Sequence, residues 1–282
     1  MTHPTVRDTV AQMVMPRLNG IELADPAYRS RIEVLVREGI GGFILFGGDV
    51  EDTPRRLQEL QALAKMPLLI SSDIERGLGQ QLAGATRFPN QRAVASAINP
   101  GSKKDRAVLD RMLDAVRSET RAAGTHVVFS PVMDVNSNPD NPIICTRAFG
   151  DDPEVVEWFG SRYITALQKP RRDGRLDLLA CAKHFPGHGD TDQDSHSVLP
   201  VINDEKAKLN RIELPPFRQA VKEGVAMVMV AHLLVPAFDP GTPATFSKKI
   251  VTALLREGIA FDGLIISDAL DMGALTGEYS QE

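Results

Sequence analysis

The segment 183–196, K-H-F-P-G-H-G-D-T-D-Q-D-S-H, is where this chain concentrates reactive side chains. It gathers Lys183, the histidines His184, His188 and His196, and the polar residues Asp190, Asp192, Gln193 and Asp194 in a Gly- and Pro-broken stretch directly after the apolar run 178–182. Unpaired charges are too costly to bury in an apolar core, so a loop of this composition at a strand end is expected to form a site. Asp194 and His196 are separated by one residue, close enough in a loop for their side chains to converge. A carboxylate accepting from one ring nitrogen sets the tautomer and raises the basicity of the other. Such a histidine can donate a proton and later take one back near neutral pH. Lys183 and His184, still at the strand end, are placed to grip hydroxyl or carbonyl oxygens of a ligand.

Two other readings of the loop exist, a polar turn with a chance cluster of histidines and a metal site. His184 and His188 are four apart and acids follow, but Pro186 and Gly187 break the helix that would align the two rings. The aspartates also lack the positional pattern of a calcium loop. No metal and no cofactor is expected.

A second pole lies in I-I-S-D-A-L-D at 265–271. Asp268 directly follows an apolar strand, either as a cap for the next helix or as a carboxylate exposed at a strand end; Asp271, three residues on, competes with it. A carboxylate facing a proton donor across a polar pocket is the arrangement for cleaving a glycosidic bond through a covalent intermediate. Asp73, Glu75 and Arg76 in D-I-E-R add binding groups, as does the polar turn at 134–142. Arg147 either binds a ligand carboxylate or amide or pairs with Asp151 or Asp152. His232 either lines the pocket or satisfies a backbone carbonyl.

The elements that must position these groups alternate. Candidate strands are 10–15, 42–46, 68–72, 126–130, 178–183, 226–232 and 264–267, most of them continuously apolar as parallel strands covered on both faces are. The first could equally end a helix beginning near Pro4. Helices are predicted over 27–38 (Ile32, Leu35 and Val36 on one face), 53–65 (opening on Thr53 as cap with Pro54 behind it), 103–123, 152–169 and 247–257 (Ile250, Val251, Leu254 and Leu255 inward). The stretches V-R-E-G-I-G-G-F-I-L-F, V-K-E-G-V-A-M-V-M-V and L-R-E-G-I-A-F-D-G-L-I-I share a plan of helix end, glycine turn and apolar strand. Gly39, Gly224 and Gly258 are expected to end their helices at positive φ.

An open dinucleotide-binding sheet is disfavoured, because no G-x-G-x-x-G follows the first strand. Polar residues accumulate after many different strands, and a TIM-type (β/α)₈ barrel puts those strand ends on one rim. The expected architecture is therefore an α/β chain forming one catalytic barrel over 1–282, incomplete at its C-terminus and truncated before the eighth strand. Only 14 residues follow Asp268, too few for another helix and strand.

Composition agrees with a globular chain: 282 residues, 43% hydrophobic, 24% charged, net charge -5. The basic clusters are short, so no nucleic-acid partner is expected. Two cysteines, Cys145 and Cys181, give no disulfide framework. No run approaches the roughly 18 apolar residues of a membrane span, and no signal peptide is visible, so a soluble cytoplasmic protein with no membrane partner is expected.

With these motifs assembled, the chain resembles glycoside hydrolase family 3, in its bacterial β-N-acetylhexosaminidase branch related to peptidoglycan-recycling glucosaminidases. The resemblance is carried by the segment 183–196, F-S-P-V-M-D-V-N at 129–136, N-P-x-x-x-x-R-x-F-G at 141–150 and F-D-G-L-I-I-S-D-A-L-D-M at 261–272. It implies a small-molecule or oligosaccharide substrate and retaining release of terminal β-linked N-acetylglucosamine. Asp268 would be the nucleophile and His196, oriented by Asp194, the general acid/base on a mobile loop. Asp73, Arg147, Lys183 and His184 would hold sugar hydroxyls. Related members with this dyad can use phosphate as acceptor, since a neutral imidazole does not repel that anion. The chain departs from the cell-wall enzymes after the third strand, reading D-I-E-R-G-L-G-Q-Q where they commonly read D-Q-E-G-G-R-V-x-R, so that Gln81 stands where they carry arginine. This opens the substrate to another β-N-acetylhexosaminide or a plain β-glucoside, alongside a sugar phosphorylase or an inactive carbohydrate-binding fragment.

Overall fold

The computed structural model describes residues 5–277. In chain order come α1 (Val6–Gln12), β1 (Arg17–Asn19), α2 (Pro26–Arg37), β2 (Gly42–Phe46), α3 (Thr53–Leu63), β3 (Leu69–Ser72), α4 (Gln91–Ala97), α5 (Lys103–Ala122) and β4 (Val127–Val128). There follow α6 (Pro153–Leu167), β5 (Leu179–Phe185), α7 (Lys206–Arg211), α8 (Leu214–Lys222), β6 (Met227–Val230), a π-helix (Lys249–Gly258), β7 (Leu264–Ser267) and α9 (Gly273–Thr276). The chain divides into two compact units, one of residues 1–88, 112–129 and 170–178, the other of residues 89–111, 130–169 and 179–282.

In the first unit β1 to β4 pair in parallel and in chain order, with Arg17 opposite Ile44, Gly42 opposite Leu69 and Ser71 opposite Val127. Inward residues such as Leu18, Phe43, Leu45 and Ile70 are fully buried. Asp25 caps α2 by accepting from the Ala27 amide at 2.8 Å, Pro26 opens the helix, and Gly39 leaves it at φ 89°.

Of the two readings of 10–15, the end of a helix beginning near Pro4 is the one observed, and the strand is not. Thr5 and Asp8 form a reciprocal capping box that nucleates α1 through Gln12, and the strand falls instead at Arg17–Asn19. The cap of α3 is Asp52, not Thr53, whose hydroxyl accepts from the Asp49 amide at 3.1 Å. β4 is shorter than predicted because the Ile70 amide donates to the ring Nδ1 of His126 at 3.0 Å, a side chain standing in the ladder.

In the second unit β5, β6 and β7 are likewise parallel and in chain order, with Met227 opposite both Cys181 and Leu264. β5 and β6 are buried almost throughout, as their unbroken apolar runs require. Gln168 ties their entry ends: its Oε1 accepts from the Ala180 and Ala226 amides at 3.1 and 2.8 Å, and its Nε2 donates to the Gly224 carbonyl at 2.8 Å. Phe149 stacks on Phe159 at 5.3 Å and meets Tyr163 edge-on at 5.0 Å, pairings each worth about 1 kcal/mol beyond their burial.

The last long helix differs from expectation in kind. Its hydrogen bonds follow the π pattern, so Ile250 and Leu255, five apart, are the buried pair, while Val251 and Leu254 are half-buried. Gly224 does turn at φ 74°, but after the π-helix the positive φ falls on Ala260 (61°) rather than Gly258. No helix among the described residues is long and apolar enough to cross a membrane.

Candidate active site

Six of the seven predicted site residues belong to the second unit; Asp73 belongs to the first. Asp73 directly follows β3 and is half-buried. Its carbonyl accepts from Gln81 Nε2 at 3.0 Å, while Gln80 Oε1 accepts from the Glu75 and Arg76 amides at 3.0 and 2.9 Å. Gln81 thus shapes the loop after β3 through its backbone.

β5 delivers Lys183 and His184. Its register against β6 shifts between Ala182, opposite Val228, and Phe185, opposite Val230, so one extra residue is accommodated on β5 there. Such a bulge re-aims side chains that strict alternation would send to opposite faces. Lys183 is 2% and His184 4% exposed. The segment 130–133 flanks β5, the Met133 amide donating to the Lys183 carbonyl at 2.6 Å, and delivers Asp134 immediately behind it.

Asp134, at the head of the polar turn 134–142, is the organiser of this site. Fully buried, it accepts from the His184 ring Nδ1 at 2.7 Å, the His184 amide at 3.2 Å and the His188 amide at 2.7 Å. Burial pushes its carboxyl up, but the adjacent His184 ring with its hydrogen bond, and then His188 with its amide, hold it below the ordinary value. On the other side of the ring, Arg147 Nη2 lies 3.2 Å from His184 Nε2. A guanidinium has only donors, so Nε2 accepts and the ring proton sits on Nδ1 facing Asp134. Arg147 therefore reaches His184, while Asp151 lies 3.5 Å from Arg92 and Asp152 caps α6. A signal for Asp134 was present: like Asp268, it is an aspartate ending an apolar run.

Asp268 follows β7, its amide donating to the Val230 carbonyl at 2.9 Å and its Oδ1 accepting from the Ala269 amide at 2.8 Å. Burial raises its carboxyl; His184, the Ala269 amide, Lys183 and His232 act oppositely and hold it below the usual carboxylate value, hence ionised at neutral pH. The competing Asp271 is exposed. His232 satisfies a backbone carbonyl, as one of its two readings had it: Nε2 donates to Ala269 O at 2.9 Å, bracing the residue next to Asp268.

Asp194 and His196 converge as their spacing suggested. His196 Nδ1 lies 2.7 Å and its amide nitrogen 2.9 Å from Asp194 Oδ1. Burial raises the Asp194 carboxyl, and the His196 amide and ring more than offset it. Both side chains are well exposed. Beneath them, the buried His188 ring reaches Thr191 Oγ1 at 2.9 Å and Ser195 Oγ at 3.0 Å. Burial pushes His188 down to about 4, so it is neutral at pH 7. Glu213, at the start of α8, is fully buried against Gly187; burial and the charges of Asp134 and Asp190 raise its carboxyl well above the ordinary value. Nothing in the sequence around Glu213 marks it.

The second unit thus combines an ionised carboxylate near Lys183 with an exposed carboxylate-oriented imidazole. The model for the "Glycosyl hydrolase family 3 N terminal domain" matches residues 5–282. The chain belongs to glycosyl hydrolase family 3. A β-hexosaminidase of Chromobacterium violaceum is 36% identical over 242 residues, 84% of this chain and 66% of that protein. β-Hexosaminidase A of Pseudoalteromonas piscicida is 33% identical over 270 residues, covering 88% of this chain and 44% of its own length. A solved family 3 β-N-acetylglucosaminidase from a Paenibacillus species superposes with a TM-score of 0.86 at 35% identity, over 98% of this chain and 51% of that one. The chain therefore spans about half to two thirds of the length of these relatives. The likeness bears out the expected α/β fold of TIM-barrel type, carried here as seven strands among the described residues.

Proposed function

We propose that the protein acts as a retaining β-N-acetylhexosaminidase that releases terminal β-linked N-acetylglucosamine. The supporting observation is the pairing of an ionised Asp268 with the exposed Asp194–His196 hydrogen bond of 2.7 Å in one structural unit. Relatives that match most of this chain are named β-hexosaminidases, which supports the substrate class. In the first step Asp268 attacks the anomeric carbon as His196 gives its proton to the departing glycosidic oxygen, leaving a glycosyl ester on Asp268. In the second, His196 takes a proton from water, whose oxygen attacks the same carbon and frees Asp268. Net retention follows from two inversions. Asp194 keeps the ring proton on Nδ1 and so leaves Nε2 as the group that exchanges with substrate. Lys183, His184 and Arg147 bind sugar hydroxyls. Lys183 also offsets the charge of Asp268 without protonating it.

Neither Cys145 nor Cys181 is in a disulfide, which supports a reducing, cytoplasmic setting. A phosphorylase is favoured by one feature, an imidazole rather than a second carboxylate as acid/base, which would not repel an incoming phosphate. The test is hydrolysis of p-nitrophenyl β-N-acetylglucosaminide with and without phosphate. Free sugar of retained configuration is expected. Sugar 1-phosphate would favour the phosphorylase, and sugar binding without turnover an inactive barrel. Asp268→Ala should lower turnover by at least about 10⁴-fold, with azide giving an α-glycosyl azide. Normal turnover in that variant would sink the assignment.

A further inference from the structure

The dyad side chains stand largely in solvent, so what places them is the backbone beneath. Residues 194–198 form one turn, with the Ser197 and Val198 amides donating to the Asp194 carbonyl at 3.0 and 3.1 Å. That turn is held from the segment that leaves Asp268. The Gly273 amide donates to the His196 carbonyl at 3.0 Å and the Ala274 amide to the Ser195 carbonyl at 3.2 Å. These are the first two amides of α9, which have no acceptor within their own helix. The approach is close enough to exclude a side chain: a Cβ on Gly273 would lie 2.6 Å from the His196 carbonyl oxygen and 2.7 Å from that of Ser197. Gly273 is helical and not in the left-handed region, so its own conformation does not demand glycine. The contact with the loop does.

We infer that Gly273 is a positioning residue: it docks the acid/base loop onto the segment following Asp268, so that nucleophile and proton donor are carried as one mechanical unit. The inference rests on the hydrolase reading for its catalytic consequence, but not for the docking itself. An alanine at 273 keeps its amide and suits the helix, yet must push back the carbonyls of His196 and Ser197. The loop then loses its seat while Asp268 keeps its own hydrogen bonds.

The experiment compares wild type, Gly273→Ala and a control, Gly241→Ala, whose added methyl meets nothing within 4 Å. Two glycosides of N-acetylglucosamine are used, the 2,4-dinitrophenyl, whose leaving group needs no proton, and the methyl, whose leaving group does. Gly273→Ala is expected to lose at least about tenfold in kcat/KM on the methyl glycoside and less than about threefold on the dinitrophenyl one. Equal losses on both would overturn the positioning role, as would no loss on either. Amide hydrogen exchange by mass spectrometry decides the docking independently of turnover. Exchange over 190–198 should be about tenfold faster in Gly273→Ala than in wild type or control. Unchanged exchange refutes the docking even if the protein proves not to be a hydrolase. Should the variant fold poorly, the wild type alone suffices: the Gly273 and Ala274 amides must be protected, and rapid exchange at both overturns the inference.

Discussion

In Asp134–His184 and in Asp194–His196 a ring Nδ1 lies 2.7 Å from a carboxylate oxygen, yet the side chains are 0% and 6% exposed in the first pair and 39% and 59% in the second. The hydrogen bond is the same and the surroundings decide what it does. In the buried pair Asp134 serves three donors of His184 and His188, and Arg147 lies 3.2 Å from the far ring nitrogen. Such a pair cannot trade protons with water and acts as a rigid strut that presents His184 and orders the start of the loop. In the exposed pair the imidazole is open to solvent, and the turn that carries it is held by His188 through Ser195 and by the Gly273 and Ala274 amides. The acid/base role proposed for His196 needs that access.

Removing the carboxylate from each pair should separate the two roles most sharply. Asp134→Ala leaves a buried ring and two buried amides without their acceptor, and is expected to cost about 3–5 kcal/mol of stability, read as a fall in Tm of about 10 °C. Activity should fall with it. The opposite split is expected at the exposed pair. His196→Ala should lower kcat/KM about a hundred- to a thousandfold on a glycoside with a poor leaving group, with unfolding free energy within about 0.5 kcal/mol of wild type. If both variants lose stability alike, the division into strut and proton carrier is wrong.

The pH dependence of stability sharpens the same division at His188, the link between the pairs. Its folded value, about 4, lies below the ordinary 6.5, so between those values the unfolded chain binds a proton that the folded one refuses. Stability contributed by the neutral ring is therefore complete above about pH 6.5, falls as the pH drops towards 4 and levels off below. The expected loss from pH 7 to pH 4 is about 3 kcal/mol, read as the difference between urea unfolding of wild type and of His188→Gln. Parallel pH profiles for the two proteins would rule this out. The smallest effect is expected from Ser195→Ala, which removes only the hydroxyl contacted by His188: about 1 kcal/mol in stability. Its effect on turnover should be confined to substrates that need the proton.

Much of this was legible in the chain. β2 and β7 fall on their apolar runs, although only β2 is covered as a buried parallel strand is; β7 is half-exposed. The Asp194–His196 bond was legible too, since one intervening residue leaves little room for the two groups to miss each other. The choice between strand and helix end at 10–15 stayed open because a short apolar run does not distinguish them, and the Thr5–Asp8 cap decided it. The π-helix was not legible, because α and π periodicities share most of their inward positions over ten residues.

The sequence by itself determined β2 to β7, the loop that carries the reactive groups, and the aspartates that end apolar runs. Those properties depend on neighbours along the chain. Only the tertiary structure decided that Asp134 is a strut, that His188 is kept neutral, that Arg147 reaches His184 and that Gly273 seats the loop. Each of these depends on burial and on partners far away in sequence, and water exclusion is a property of the packed molecule.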